Sequence, residues 1–220
     1  MEIEKFNFTP DALFPVNNLT EIPTLKLDYQ AMFLTTPVQL WGARSRKMKM
    51  PGTYVFYTDD YRFENLWKNP NPVIKSGCLN AVEPNFSCYN ETPFPVALYQ
   101  IYRKRWIARY WQEHGINIFV DINVHPKFAK INLLGVPKGW KAYATHGYNN
   151  LIEFTEKEYQ LACEHAGTNE ILFVVYGGGK RVKNLCEKYP FIHITEEMEQ
   201  HLYGKRNKEL NPNQLKLLGG

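Results

Sequence analysis

Hydrophobic residues fall along this chain in short runs that end in polar or glycine residues: 54–60 (YVFYTDD), 81–85, 116–123 (INIFVDIN), 141–146, 171–177 and 191–195. Runs of this length, rich in β-branched and aromatic residues, predict strands. Most are followed by a stretch with helical spacing. The segment YRFENLWKNP predicts a short helix halted before Pro70, and residues 95–115 predict a long one that opens on Pro95 and stops at Gly115. In FTEKEYQLACEHAG, Thr155 followed three residues on by Glu158 has the form of a capping box. KRVKNLCEKYP predicts a helix behind the glycine run 177–179, EEMEQHLYGKR repeats the unit after 191–195, and 38–41 offers a further short strand.

Strand starts recur roughly every 20 to 36 residues, which is the spacing of βα units joined by right-handed crossovers. The expected fold is therefore α/β, with a mainly parallel sheet of six or seven strands, either open and doubly wound or an incomplete barrel. Both arrangements place ligands beyond the carboxyl ends of the strands. Residues 1–36 are rich in proline and aromatics without periodicity and read as an irregular arm, 37–205 as a single domain and 206–220 as a tail.

Composition narrows the picture only a little. At 220 residues the chain can bury a sizeable core, and 44% hydrophobic against 22% charged residues is the balance of a globular protein. The net charge of +4 is too small to imply a nucleic-acid partner by itself. No apolar stretch reaches the roughly 18 residues of a membrane span, and the start MEIEKFNFTP has no secretory-signal character. A cytoplasmic protein without membrane contact is expected. Cys78, Cys88, Cys163 and Cys186 form no close pair, so reduced structural thiols are expected.

The chemistry-bearing residues lie at the strand ends. Asp59, Asp60, Glu83, Asp121 and His146 are the catalytic candidates: their oxygens suit a divalent metal such as magnesium, and the same groups could serve as general acid and base without one. Asp121, Asn123 and His125 alternate and would share a strand face, similar to the metal-holding strand of rolling-circle nucleases but with one histidine only. Gly177, Gly178 and Gly179, followed by Lys180 and Arg181, form a candidate phosphate loop that matches neither the nucleotide-triphosphatase nor the dinucleotide fingerprint. Arg44, Arg46, Lys47 and Lys49 form the densest basic run. With Arg105 and Arg109, expected on the outer face of the long helix beside tryptophans and tyrosines, they are the candidate nucleic-acid contacts.

The motif order FYTDDYRFENLWKNP, AVEPNFSCYNETPFPVALYQIYRKRWIARYWQEHGINIFVDINV, VVYGGG resembles a family of uncharacterised bacterial, phage and mobile-element proteins catalogued only as a domain of unknown function. The resemblance runs from Ile22 to Gly179, with Asn85 standing where the family carries an aspartate before Phe-Ser. It implies an α/β fold and a phage or mobile-element setting, and no activity. The expected function is action on a phosphate-bearing partner, nucleic acid or nucleotide, at the sheet edge. The alternatives are a non-catalytic interaction protein such as a replication accessory or an inhibitor of a host enzyme, and a metal-independent small-molecule enzyme.

Overall fold

The computed structural model of the chain describes residues 14–42 and 49–196. Seven parallel strands lie in sequence order: β1 (Val38–Leu40), β2 (Thr53–Val55), β3 (Asn80–Val82), β4 (Asn117–Asp121), β5 (Ala142–His146), β6 (Leu172–Tyr176) and β7 (Phe191–Ile194). A doubly wound sheet reverses its strand order at a switch point. This one never does, so of the two expected architectures the incomplete barrel is the one adopted.

Curling of the sheet follows from ring contacts. β2 and β6 are four inter-strand steps apart, which in a flat sheet is about 19 Å. Yet Tyr57, just beyond β2, stacks on Tyr176 at the end of β6 with ring centroids 5.8 Å apart. The strands therefore wrap into a half-barrel whose C-terminal mouth is drawn together by these rings.

Alternation along the strands sorts two cores. Ile118 and Val120 of β4, and Phe173 and Val175 of β6, point to the helix side. There they meet Trp106, Ile107 and Trp111 of α2 (Phe94–Glu113), Ala162 of α3 (Ile152–Ala166) and Val182 and Leu185 of α4 (Gly179–Cys186). Phe119, Val174 and Tyr176 point to the other face, with Val55, Val82, Ala142 and Ala144. Among the described residues no α-helix covers that face; the N-terminal arm does, through buried Ala31 and Leu34. Gln30 bridges Ile118, and its side chain accepts a hydrogen bond from the Lys141 amide at 2.7 Å. The arm thus wedges between β4 and β5, whose own pairing is confined to Val120 with Tyr143 and Asp121 with Ala144.

Two helices differ from expectation. Residues 61–70 do not form an α-helix: they make the 3-10 turns Asp60–Arg62 and Glu64–Leu66, and the short helix α1 (Asn71–Ser76) begins only after Pro70. Nor do Thr155 and Glu158 form a capping box. α3 starts three residues before Thr155, with Leu151 at its N-cap and no side-chain cap. The tail, and the final helix except Glu196, lie outside the described residues. No helix among the described residues is long and apolar enough to cross a membrane, and the four cysteines are free and buried.

Candidate active site at the mouth of the half-barrel

Beyond the strand ends opens a cavity of about 760 Å³, lined among others by Tyr57, Asp59, Asp60, Asn85, Asn123, His125, His146, Tyr148 and Glu158. Three of the five expected catalytic residues, Asp59, Asp60 and His146, reach it. Glu83 and Asp121 do not line it and have no exposed surface.

Glu83 and Asp121 instead anchor two buried ion pairs to consecutive residues of α2. Arg105 donates to Glu83 Oε1, to the Asn132 carbonyl at 2.6 Å and to the Leu134 carbonyl at 3.1 Å. Lys104 Nζ donates to Asp121 Oδ2 at 2.9 Å and to its carbonyl at 3.0 Å. Glu83 Oε2 in turn accepts the Asp121 amide at 3.1 Å, so the two pairs form one network beneath the cavity floor. Burial raises the Glu83 carboxyl above its usual value, and the Arg105 and Lys104 charges oppose that. Arg109, 6% exposed, pairs with Glu113 and donates to the Thr24 carbonyl at 2.9 Å. The expectation that Arg105 and Arg109 face outward is therefore overturned: Arg105 has no exposed surface. A phosphate cannot reach it. Of the other basic candidates, Lys49 is exposed, and Arg44, Arg46 and Lys47 lie outside the described residues.

Asp121 carries the network to the cavity floor. Its Oδ1 accepts from the Tyr57 hydroxyl at 3.2 Å, and its Oδ2 accepts from Asn85 Nδ2 at 2.9 Å. Asn85 Nδ2 also donates to the Asn123 carbonyl at 2.8 Å. Asn123 Nδ2 donates to the Thr145 hydroxyl and the His146 carbonyl, both at 3.3 Å. β4 ends at Asp121, so the expected alternation through His125 stops there; His125 caps a 3-10 turn by accepting the Lys127 amide at 3.4 Å.

His146 sits among Tyr57, Tyr148 and Tyr176, with ring centroids 5.6, 4.7 and 6.1 Å away. Burial lowers its pKa, and the Glu196 carboxylate, 3.4 Å from Nε2, acts against that shift without cancelling it. The net shift favours the neutral imidazole. Among the described residues its buried Nδ1 has no hydrogen-bond partner, a condition native proteins keep at few positions. Glu158, on α3, accepts from the Thr145 hydroxyl at 2.6 Å. Burial drives its carboxyl well above the ordinary range, and Asp121 adds to the shift. The Tyr148 hydroxyl is pushed up to about 12, chiefly by burial.

Glu158, Tyr57, Tyr148 and Lys104 are site and support residues that the strand-end rule passes over. Glu158 had a readable signal: it stands three residues after Thr155 and four before Ala162, both buried, so it lies on the inward stripe of its helix. Among the described residues, no group of three or more histidine, cysteine or acidic side chains is placed to hold a metal ion.

The glycine run forms a tight turn. Gly177, Gly178 and Gly179 all have positive φ, at 73°, 88° and 69°. The Gly177 amide donates to the Ile194 carbonyl at 2.8 Å, and the Arg181 amide to Asn149 Oδ1 at 2.9 Å. A side chain at Gly177 would meet Glu196, so a carboxylate of the chain itself lies against this backbone. Lys180 and Arg181 are exposed. At Gly178 a Cβ would come within 2.7 Å of the Gly147 backbone. Gly178→Val is expected to lower stability by more than about 2 kcal/mol through strain and overpacking. Urea unfolding checks this, and a loss under about 0.5 kcal/mol, the level of an inconsequential surface change, would show that the turn is not tightly specified.

Residues 14–183 match the family described as "Domain of unknown function (DUF4417)". The chain belongs to this family. The match therefore spans the arm from residue 14 onward, β1 to β6 and the whole cavity lining. The chain is 30% identical over 110 residues to the Gene 1 protein of Mycobacterium phage D29, covering 48% of this chain and 40% of that protein. It is 32% identical over 111 residues to the Gene 1 protein of Mycobacterium phage L5, covering 48% and 47%. The matches thus span less than half the length of these phage relatives. No solved structure gives a significant match.

Proposed function

We propose that this DUF4417 protein is an enzyme of acid/base type that acts on a small molecule held at the C-terminal mouth of the half-barrel. The observation that carries the reading is the placement on the walls of one cavity of a carboxyl held well above its ordinary range, Glu158, and an imidazole held below its own, His146. Two titratable groups pushed in opposite senses supply a proton donor and a proton acceptor at the same pH. Lys104 and Asp121 hold the floor from beneath without lining the cavity.

A second reading, a phosphate-bearing partner such as a nucleotide or nucleic acid in a phage setting, is supported by one feature. Lys180 and Arg181 stand exposed on the first turn of α4, behind three glycines of positive φ. The cavity itself adds no lysine or arginine among its described lining.

The test incubates the protein with a bacterial small-molecule extract supplemented with nucleotides, with and without magnesium, and follows every pool by mass spectrometry. Wild type should consume at least one compound, and Glu158→Gln and His146→Gln should each slow that by about a hundredfold or more. Consumption unaffected by either change would remove the acid/base assignment, and no consumption at all would favour the interaction-protein alternative. In parallel, single-stranded DNA binding that weakens with salt, with a log–log slope reduced by about 0.7 for each of Lys180 and Arg181 replaced, would support the phosphate reading.

A further inference from the structure

The polar inventory of the cavity is one-sided. Both N–H groups of Asn85 are consumed, by Asp121 Oδ2 at 2.9 Å and the Asn123 carbonyl at 2.8 Å. What Asn85 offers the cavity is its carbonyl oxygen, an acceptor. Asp60 is fixed by accepting from the Ser87 amide at 3.0 Å and its hydroxyl at 2.9 Å, and Asp59 stands exposed beside it. Glu91 adds a third carboxylate to the same wall, while the described lining holds no lysine or arginine. Much of the remaining lining is aromatic: Tyr57 and Tyr148 flank His146, and Tyr61 and Tyr89, 71% and 66% exposed, are among the lining residues.

Carboxylates and a fixed carbonyl facing aromatic rings complement one kind of ligand. An anion would meet repulsion that, among the described residues, only Arg62, 3.9 Å from Asp59 and not itself among the lining residues, offsets, and a neutral acceptor-rich molecule would leave the carboxylates without a counter-charge. An ammonium or amidinium group satisfies the acceptors through charge-assisted hydrogen bonds and is attracted to the ring faces. We propose that the cavity binds an organic amine: a cationic N–H head group placed against Asn85, Asp59 and Asp60, with an apolar body lying against Tyr57 and Tyr148. This rests on the cavity being the functional site and gives the substrate class that acid/base chemistry there would take.

Three isosteres of different charge test it by titration calorimetry on the full chain at low salt: phenethylamine, phenylethanol and phenylacetate. Phenethylamine should bind at least about tenfold more tightly than phenylethanol, a margin of about 1.4 kcal/mol, and phenylacetate should not bind. Asp59→Asn combined with Asp60→Asn should remove most of that margin. The asparagine at 60 can still accept from the Ser87 amide and donate to its hydroxyl, so the wall keeps its shape. Phenylacetate or inorganic phosphate binding more tightly than the amine, no binding by any probe, or an amine affinity indifferent to the double change would each overturn the amine assignment. Consumption of a compound from the extract that depends on Glu158 would still stand in those cases, so failure of the ligand class is separable from failure of the acid/base reading.

Discussion

Replacing Arg105 with methionine is expected to lower the unfolding free energy by about 3–5 kcal/mol, the cost of stranding a buried charge. Arg105 and Glu83 are both without exposed surface, and Arg105 also satisfies the carbonyls of Asn132 and Leu134. Without the guanidinium, Glu83 must either ionise unpaired or take up a proton, and two carbonyls lose their donor. Urea denaturation at pH 7 measures the loss. The double change Arg105→Met with Glu83→Gln should recover part of it, because a neutral amide tolerates burial better than a lone carboxylate. A single-mutant loss below about 1 kcal/mol, typical of an exposed pair, would mean that Arg105 is solvated after all and available to a phosphate.

Glu158→Gln should change the pH dependence of stability in a definite sense. The Glu158 carboxyl is raised well above 4.5 in the folded chain, with burial as the leading cause. The native state therefore holds this proton more tightly than the unfolded state does. The stability contributed by the protonated form is fully present below pH 4.5, the ordinary value, and is lost as pH rises through the raised folded value. Glutamine mimics the protonated form and has nothing to lose. Wild type and Glu158→Gln should match in acid, and the mutant should become progressively the more stable of the two as pH rises from 4.5 to the raised folded value, by about 1.4 kcal/mol for every tenfold difference in proton affinity between the folded and unfolded chains. Parallel stability–pH curves from thermal unfolding between about pH 4 and 9 would show that the carboxyl is solvated and ordinary, and the proton donor of the proposed chemistry would be lost with it. The same substitution should slow turnover by about a hundredfold or more, which separates its chemical role from its effect on folding.

The misreading of α2 shows where sequence logic fails. Residues 94–113 carry Arg103, Lys104, Arg105 and Arg109 among aromatics, and a chain-local rule sends such cations to solvent. All four are buried, because the helix is packed on more than one side: by the sheet, by the arm, which Gln112 holds through the Lys26 and Tyr29 carbonyls at 3.0 and 3.2 Å, and by the loop carrying Asn132 and Leu134. A helix enclosed in this way must find partners for its charges inside. Those partners were the very strand-end acids, Glu83 and Asp121, that looked free to do chemistry.

The sequence by itself determined the strand sites, the parallel α/β class and the long helix between Pro95 and Gly115, because alternation, β-branching and helix stop signals are local properties of a few consecutive residues. It also determined that polar groups gather at one edge, since every strand of a parallel sheet ends on the same side. Tertiary structure alone decided which of those groups line the cavity. Curling of the sheet brings Tyr57 to Tyr176 across four inter-strand steps, and α2 turns Lys104 and Arg105 into counter-ions for Asp121 and Glu83. α3 carries Glu158 over β5 to Thr145. These pairings join residues distant along the chain, and their energies depend on burial that exists only once the half-barrel has closed around its arm.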